Sequence, residues 1–389
     1  MRIMYIIKAL AMKAGLERVV SDKMNYLAER GYEVSLVTYE QGEHPLGFPL
    51  HPSIRHFNLD ARFFKLGEKP LWKRPFGLRK MRKRFKEGLQ QAIDEVQPDV
   101  IITTTYSMKV FDIILDAHTT ARRIIESHTA GFTVRKTYDY RNNPVMRRVA
   151  KLYDRWTFSR IGEFDKLVAL TKGDAENWRQ YIKDVLIIPN PVTKYPDSVR
   201  AHDGTGRRII SVGRLSEEKG FDMLIEAFAL IADKCPDWHV AIFGNGAEMQ
   251  KLLDAIKLHR LEGRINILPP TPHIYEEYQQ SEFYVLSSHY EGYPLVLNEA
   301  MSCGIPCVAF RIRYGPDEAI THGENGLLAE SENVEDLAKQ MLWMIEHTQE
   351  RLAMGVAARI SARRYLQDTI MHQWEELFHQ LCRKDNNKD

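Results

Sequence analysis

Short apolar runs alternate with amphipathic stretches along most of the chain. In the first half, runs rich in aliphatic and β-branched residues occupy 2–7, 33–39, 99–104, 122–127 and 166–170. Between the first two lies 16–31, whose apolar positions recur at helical spacing and whose last residue is Gly31. Strands that alternate with helices in this way predict a parallel sheet with helices on both faces.

A polar break interrupts the pattern, and a second alternation follows it. Residues 187–208 are rich in Pro, Gly and polar side chains and show no periodicity, which is typical of a domain linker. The candidate strands beyond it are 208–213, 239–244, 265–268, 283–287, 307–310 and 326–329. The helical patterns are 221–234, 295–304, 350–366 and 367–382. This half therefore predicts a second parallel sheet.

The two alternations predict an α/β protein of two doubly wound, Rossmann-like domains that face each other across a central cleft. We expect an N-terminal domain over 1–190 and a C-terminal domain over 200–365, with the last helix, about 366–389, packed back on the N-terminal domain. Ligands of such sheets bind beyond the carboxyl ends of the strands. Residues just after the predicted strands are therefore the first candidates for chemistry.

Composition adds a charge asymmetry to this picture. Residues 1–200 carry 35 Lys and Arg against 23 Asp and Glu, although the whole chain has a formal net charge of only +2. The two halves are therefore expected to meet different partners. Four cysteines in 389 residues do not form a disulfide framework and indicate reduced thiols in a cytoplasmic protein. No apolar run reaches the roughly 18 residues of a transmembrane helix.

The segment 213–219 places two cations after a predicted strand and before a predicted helix. Gly213 would let a ligand approach the backbone, Arg214 supplies a fork of donors, and Lys219 supplies a point charge. Near the positive end of the following helix, this combination suits a diphosphate. The alternative is a solvated loop in which Ser216, Glu217 and Glu218 only begin the helix.

Two acids flank the turn between strand 283–287 and helix 295–304. Glu291 lies on the loop at the carboxyl end of the strand, and Glu299 lies roughly a turn and a half into the helix. A carboxylate can accept two hydrogen bonds from a vicinal diol. The backbone near the open helix end could meet an anion or a hydroxyl. The alternative is that Glu291 favours the helix dipole and that Glu299 is a solvated helix residue.

These residues together resemble glycosyltransferase family 4, whose members are retaining, nucleotide-sugar-dependent enzymes of the GT-B fold. The resemblance rests on Glu291 and Glu299, separated by seven residues, and on the segments "SVGRLSEEKGFDMLIEAFA", "AMSCGIPCVAF", "IFGNGAEMQKL", "GPDEAITHGENGLL" and "PNPV", which occur in the family's order. It is firm over about 187–330 and weaker over 1–186.

The resemblance implies specific roles in the C-terminal domain. Arg214 and Lys219 would bind the donor diphosphate and stabilise its developing charge. Glu291 would meet hydroxyls of the transferred sugar, and Glu299 would meet the ribose. The surrounding backbone would come from Gly213, Gly244, Gly292, Tyr293, Pro294 and Leu295. No metal and no cofactor beyond the nucleotide sugar are expected, and UDP is the expected nucleotide.

The N-terminal domain is where acceptors bind in this family. "KAGLERVV" (13–20) resembles its glycine-rich turn, but Ala14 replaces the first glycine and leaves Gly15, which puts the turn's close approach in doubt. "IIESHTAGF" (124–132) places His128 after a strand, where the family has a histidine that faces the cleft. We expect His128 to contact the sugar or the acceptor. The alternative is a structural histidine.

The acceptor is expected to be a glycan, lipid-linked and part of a bacterial capsule, lipopolysaccharide or exopolysaccharide. Residues 61–89 hold eleven Lys and Arg and two Glu, interleaved with aromatic residues. Such a segment suits an anionic membrane surface, so we expect a peripheral contact at the inner face of the plasma membrane. The alternative is a solvated helix face.

Two other classes of function remain as alternatives. A nucleotide-sugar epimerase of the same fold would need no acceptor. A nucleic-acid or membrane binder without catalysis would explain the basic half, but it would not explain Arg214, Lys219, Glu291 and Glu299 together. A nucleic-acid partner is therefore not expected.

Overall fold

The computed structural model describes residues 1–12, 14–66, 70–128, 148, 155–199 and 203–383. The chain divides into two compact units. The first consists of Met1–Pro189 and Met371–Asp389, and the second is Asn190–Ile370. Each unit is built on its own parallel sheet, so the expectation of two Rossmann-like α/β domains is confirmed.

The first unit contains a sheet of seven parallel strands in the order β3-β2-β1-β4-β5-β6-β7. The strands are β1 (Arg2–Ile7), β2 (Glu33–Thr38), β3 (Arg55–Asn58), β4 (Val100–Thr104), β5 (Arg122–Ser127), β6 (Lys166–Ala169) and β7 (Val185–Ile187). The central strands are almost wholly buried, because helices cover both faces of such a sheet. Strand order reverses between β1 and β4, which is where ligands of doubly wound sheets bind.

The helices of the first unit include α1 (Gly15–Glu29), α2 (Arg74–Val96), α3 (Phe111–Leu115) and α4 (Lys172–Trp178). Helix α2 packs the side chains of Phe85 and Leu89 against Met4, Ile6 and Ile101 of the sheet. The opposite side of α2 faces solvent and carries basic residues of the 61–89 segment: Arg79, Lys80, Lys83, Arg84 and Lys86. Residues 67–69 of that segment lie outside the described residues.

The second unit contains a sheet of six parallel strands in the order β10-β9-β8-β11-β12-β13. The strands are β8 (Arg208–Val212), β9 (His239–Phe243), β10 (Ile265–Leu268), β11 (Phe283–Leu286), β12 (Cys307–Arg311) and β13 (Gly326–Glu330). The helices are α5 (Phe221–Ala229), α6 (Met249–Leu258), α7 (Ile274–Gln279), α8 (Leu295–Ser302), α9 (Pro316–Ala319), α10 (Val334–Glu346) and α11 (Thr348–Ala362). The loops after β8, β9 and β11 meet at the carboxyl edge of this sheet.

The last helix, α12 (Gln367–Arg383), begins in the second unit and ends in the first. Two of the predicted helices end four or more residues before their sequence patterns do. The pattern over 221–234 ends as an α-helix at Ala229 and continues as a short 3-10 turn at Ala232–Lys234. The pattern over 350–366 begins at Thr348 and ends at Ala362.

Two strands were missed by the sequence interpretation. β3 and β7 are four and three residues long and lie at the two edges of the first sheet. β3 (RHFN) has one apolar residue among polar ones, and β7 (VLI) is apolar but too short to stand out as a strand. β7 also ends at Ile187, the first residue that the sequence interpretation assigned to the linker.

Candidate active site

The loop after β8 is held against the loop after β11 by a close backbone approach. Gly220 has φ +56°, and a Cβ there would lie 2.2 Å from the carbonyl oxygen of Ser287. No other residue fits both the backbone conformation and the space. Ser287 also donates from Oγ to the carbonyl of Lys219 at 3.1 Å. The two loops are therefore fixed together next to the predicted cation Lys219.

Lys219 and Glu291 form an ion pair across these two loops. The Nζ atom of Lys219 lies 2.7 Å from Oε1 of Glu291, and the side chains are 21% and 9% exposed. The hydroxyl of Ser288 donates to the same Oε1, also at 2.7 Å. The structure thus brings together the residue predicted for the diphosphate and the residue predicted for the sugar. The sequence interpretation missed Ser288.

Arg214 lies in a different environment from Lys219. Its side chain is 72% exposed and pairs with Glu218 at 2.5 Å. Burial alone would raise the pKa of Glu218, but the hydrogen bonds from Arg214 and Ser216 outweigh it and lower that pKa. Arg214 is therefore a surface cation with an ionised partner, whereas Lys219 is a largely covered cation.

Glu299 is half-buried on α8 and is held from two sides. Tyr278, from α7, donates its hydroxyl to Oε2 at 3.2 Å, and the hydroxyl of Thr193 lies 3.5 Å from Oε1. Burial, and then the charge of Glu299, raise the pKa of Tyr278 well above its usual value. Tyr278 is therefore a permanent donor to the carboxylate. The sequence interpretation missed Tyr278 and Thr193.

At the turn before α8, backbone groups and not side chains are available to a ligand. Pro294 precedes the helix, which begins at Leu295, so Pro294 caps the helix and does not occupy its first turn. The hydroxyl of Tyr293 accepts a hydrogen bond from Asn298, and burial raises the pKa of Tyr293 well above its usual value. The Tyr293 side chain is thus engaged within the protein. Gly292 is half-buried beside it.

Gly244 and Gly213, both predicted to line the ligand site, differ in whether the surrounding protein leaves room for a side chain. A Cβ on Gly244 would lie 2.0 Å from the carbonyl oxygen of Gly213, so the approach of the two loops excludes any side chain at Gly244. A Cβ on Gly213 would meet Phe221 at 3.4 Å and Lys219 at 3.6 Å, which are ordinary contacts. Packing within the protein therefore explains Gly244 but does not explain Gly213.

The residues predicted for the acceptor lie in the first unit. Gly15 is exposed and is the first residue of α1. Ala14 caps this helix in an extended conformation, with φ −119° and ψ 172°, which any residue can adopt. The backbone at Ala14 therefore has no need of the glycine that the family pattern would place there. Lys13 lies outside the described residues.

His128 follows β5, and its imidazole is engaged with a carboxylate. The Nε2 atom lies 2.7 Å from Oε2 of Glu126, and the side chain is 3% exposed. Lys23 of α1 pairs with the same oxygen. The sequence interpretation singled out His128 but neither Glu126 nor Lys23. The remainder of the motif, 129–132, lies outside the described residues.

Among the residues that the structure describes, no group of three or more His, Cys, Asp and Glu side chains is arranged to hold a metal ion. The four cysteines form no disulfide. Burial raises the pKa of Cys303 to about 12 and raises that of Cys307 further still. These thiols are inert core residues at neutral pH.

Two family models cover most of the sequence. The model described as "Glycosyltransferase Family 4" matches residues 14–194, and the model described as "Glycosyl transferases group 1" matches residues 197–361. The first of these lies almost wholly in the first unit and the second in the second unit.

Two relatives match the chain over almost its full length. It is 28% identical over 380 residues to an uncharacterised glycosyltransferase of Haemophilus influenzae, covering 96% of this chain and 99% of that protein. It is 25% identical over 389 residues to the amylovoran biosynthesis glycosyltransferase AmsD of Erwinia amylovora, covering 97% and 99%. Its fold is similar to that of TarM of S. aureus, solved as a mutant in complex with fondaparinux, α-GlcNAc-glycerol and UDP. That match has a TM-score of 0.75 and 16% identity, and it covers 97% and 99% of the two chains.

Proposed function

The chain belongs to glycosyltransferase family 4 and has the GT-B fold, and on that basis we propose that it transfers a hexose or N-acetylhexosamine from a UDP-sugar to a glycan acceptor with retention of configuration. The observation that carries the proposal is the Lys219–Glu291 pair, which joins two loops at the carboxyl edge of the second sheet. UDP is chosen because TarM binds it. AmsD, which acts in amylovoran biosynthesis, supports an acceptor in surface-polysaccharide assembly.

The cations of the second unit would bind the donor diphosphate. Negative charge accumulates on the diphosphate as its bond to the sugar breaks, and preorganised donors stabilise that charge. Lys219 is preorganised by Glu291 and Ser288, whereas Arg214 is exposed and can turn toward a ligand. The ordinary contacts around Gly213 are consistent with a ligand, and not the protein itself, requiring a glycine there.

The carboxylates would hold the two sugars of the donor. Glu299 would accept hydrogen bonds from the ribose hydroxyls, supported by Tyr278 on its other side. Glu291 would accept from hydroxyls of the transferred sugar, with the backbone of Gly292, Tyr293 and Leu295 close by. His128 would contact the transferred sugar or the acceptor. Carboxylates suit both tasks, because an ionised carboxyl group offers about four acceptor positions.

The bond changes of the proposed reaction balance without a further reactant. The bond between the anomeric carbon and the diphosphate oxygen breaks, and an acceptor hydroxyl oxygen forms a new bond on the same face. The sugar passes through an oxocarbenium-like state. The hydroxyl proton goes to the departing phosphate oxygen. No metal ion and no cofactor take part in this proposal.

Isothermal titration with UDP, GDP and ADP tests the donor assignment. We expect micromolar binding of UDP that is lost in Glu299→Ala and kept in Glu226→Ala, which removes an exposed glutamate from α5 of the same unit. No binding of any nucleotide by the intact chain would refute the proposal. If the protein turns over a UDP-sugar, the anomeric configuration of the glycan product shows whether transfer occurs with retention or inversion.

The exposed side of α2 supports a lipid-linked acceptor at an anionic membrane surface. Trp72, two residues before this helix, and Phe76, in its first turn, are 70% and 76% exposed, and Lys80, Lys83 and Lys86 are exposed along the helix. Exposed aromatic side chains beside lysines suit the headgroup region of an anionic bilayer. In the part of the chain that the structure describes, no helix is long and apolar enough to cross a membrane.

Co-sedimentation with phosphatidylglycerol vesicles tests the membrane contact. Each lysine near an anionic surface contributes about 1 kcal/mol, so changing Lys80, Lys83 and Lys86 to Gln should abolish salt-sensitive binding. The matched control changes Lys234, Lys257 and Lys339, three exposed lysines of the second unit, and should leave binding unchanged. Equal binding of the two triple variants would refute the membrane contact while leaving the transferase proposal intact.

A further inference from the structure

A buried ion pair ties helix α1 to strand β5 inside the first unit. Lys23 and Glu126 are each 1% exposed, and Nζ lies 2.8 Å from Oε2. The ring of Trp374, on α12, covers the ammonium group, with Nζ 3.7 Å from the ring centroid. Breaking such a pair is strongly destabilising, because it leaves one charge buried and uncompensated. The carboxylate is therefore held in one place from two elements.

His128 donates to the same carboxylate oxygen. Burial alone would raise the pKa of Glu126, but Lys23 and His128 outweigh it and hold that pKa at about 2. An ionised carboxylate can only accept hydrogen bonds, so the imidazole Nε2 that lies 2.7 Å away carries a hydrogen. In the neutral ring, Nδ1 then keeps its lone pair. The contact with Glu126 therefore decides which nitrogen remains for a ligand.

Two further titratable groups face this cluster. Glu17 of α1 is 6% exposed, and burial raises its pKa, opposed by its own backbone and by His128. Tyr5 of β1 is 1% exposed, and burial followed by the charge of Glu126 raises its pKa well above the usual value. Tyr5 is thus a neutral phenol. Lys23 and Glu126 supply the two fixed charges of the cluster.

We propose that Glu126 is a positioning residue for His128, which it holds by Nε2–H so that Nδ1 accepts a hydrogen bond from a sugar hydroxyl. The inference rests on the proposed function, in which His128 contacts the sugar or the acceptor. A nitrogen lone pair accepts from a hydroxyl and repels a phosphate oxygen, so this arrangement assigns His128 to the sugar and not to the diphosphate. Because 3% of the side chain is exposed, the ring is also held by packing.

Two double variants without the buried charges test whether His128 needs a hydrogen-bond acceptor at position 126. Lys23→Met/Glu126→Gln and Lys23→Met/Glu126→Leu both remove the two buried charges and nearly conserve volume, but only the glutamine can still accept from Nε2–H. UDP release from UDP-glucose and UDP-N-acetylglucosamine is measured as kcat and KM. We expect the Gln variant to keep kcat within about threefold of the wild type, and the Leu variant to lose about tenfold or more. UDP affinity should change little in both, because the proposed contacts to UDP lie in the second unit.

Nitrogen NMR of the imidazoles gives a readout that needs no turnover. The wild type and the Gln variant should show the Nε2–H tautomer at His128, identified by the signals missing in His128→Gln. Equal kcat in the two double variants, or an Nδ1–H tautomer in the wild type, would overturn the inference. If the Leu variant does not fold, the tautomer in the Gln variant decides. Failure of the wild type to bind UDP would instead count against the proposed function, because the tautomer measurement is independent of it.

Discussion

Replacing Lys219 or Arg214 with Met should affect activity alike and stability differently. Both cations are proposed to bind the same diphosphate, and removing one preorganised donor of this kind costs about 10²–10³ in kcat. Lys219, however, also compensates Glu291, which is 9% exposed. Arg214 is 72% exposed and pairs with Glu218, a neighbour on its own loop. The pair of variants therefore separates the catalytic role from the structural one.

The expected destabilisation follows from the geometry of the two ion pairs. At the 2.7 Å separation of Lys219 and Glu291, two unit charges attract by about 1.5 kcal/mol in bulk water and about 6 kcal/mol at an effective dielectric constant of about 20. Losing one partner of a buried pair costs about 3–5 kcal/mol, and the partial exposure of Lys219 reduces this to about 2–4 kcal/mol. Removing a surface partner such as Arg214 costs about 0–1 kcal/mol.

Thermal unfolding of the whole chain measures this difference. For units of this size 1 kcal/mol corresponds to about 2–4 °C, so Lys219→Met should lower Tm by about 5–15 °C and Arg214→Met by about 3 °C or less. The double variant Lys219→Met/Glu291→Gln removes both charges and should recover most of the lost Tm without recovering activity. UDP release, measured on the same samples, reports kcat.

Equal shifts in Tm for the two single variants would refute the structural part of this reasoning, because the ion pair would then contribute nothing. Full activity in Arg214→Met would refute its role at the diphosphate and would leave Lys219 as the cation that binds there. Recovery of activity in the double variant would show that neither charge is needed for transfer.

Three further predictions concern other parts of the molecule. The pKa of Glu126 is held at about 2, below its ordinary 4.5. Its charge therefore stabilises the folded protein above pH 4.5, and this contribution is lost as the pH falls toward 2. The free energy of unfolding, measured in urea across that window, should depend less on pH in Glu126→Gln than in the wild type. Tyr278→Phe removes one hydrogen bond to Glu299 and should weaken UDP binding by about fivefold while changing the affinity for 2′-deoxy-UDP less, as measured by calorimetry; equal losses would contradict a link to the ribose. A thiol reagent should label half-buried Cys382 well before Cys307, whose thiol pKa is raised by burial. Mass spectrometry of the labelled peptides measures the order, and earlier labelling of Cys307 would contradict the prediction.

The sequence located the central strands well because burial on both faces leaves continuous apolar runs. It missed β3 and β7 because edge strands are short and partly exposed. The end of α5 was also misplaced, because the apolar pattern continues through the 3-10 turn Ala232–Lys234 that follows this helix. Spacing of apolar residues does not separate the last turn of an α-helix from a 3-10 turn.

The candidate site residues also divide into those that the sequence reveals and those that only the fold identifies. Glu291 and Glu299 are visible because their spacing forms a motif within one loop and helix. Tyr278 lies on the buried face of α7 and looks like a core residue, whereas Lys23 looks like a surface residue because lysine is rarely buried. Glu126 left one signal that could have been followed: a carboxylate inside a strand expected to be buried on both faces needs a cationic partner. That partner is 103 positions away, so only the fold identifies it.

The discontinuity of the first unit has a consequence for how the protein is made. Its sheet is complete in sequence at Ile187, yet Trp374, which covers Lys23, leaves the ribosome only after the whole of the second unit. At about 5–20 residues per second, translation of the intervening unit takes about 10–40 seconds. During that time a nascent chain would hold the Lys23–Glu126 pair without its aromatic cover. The second unit, which is continuous, can finish folding first, so assembly runs against the order of synthesis.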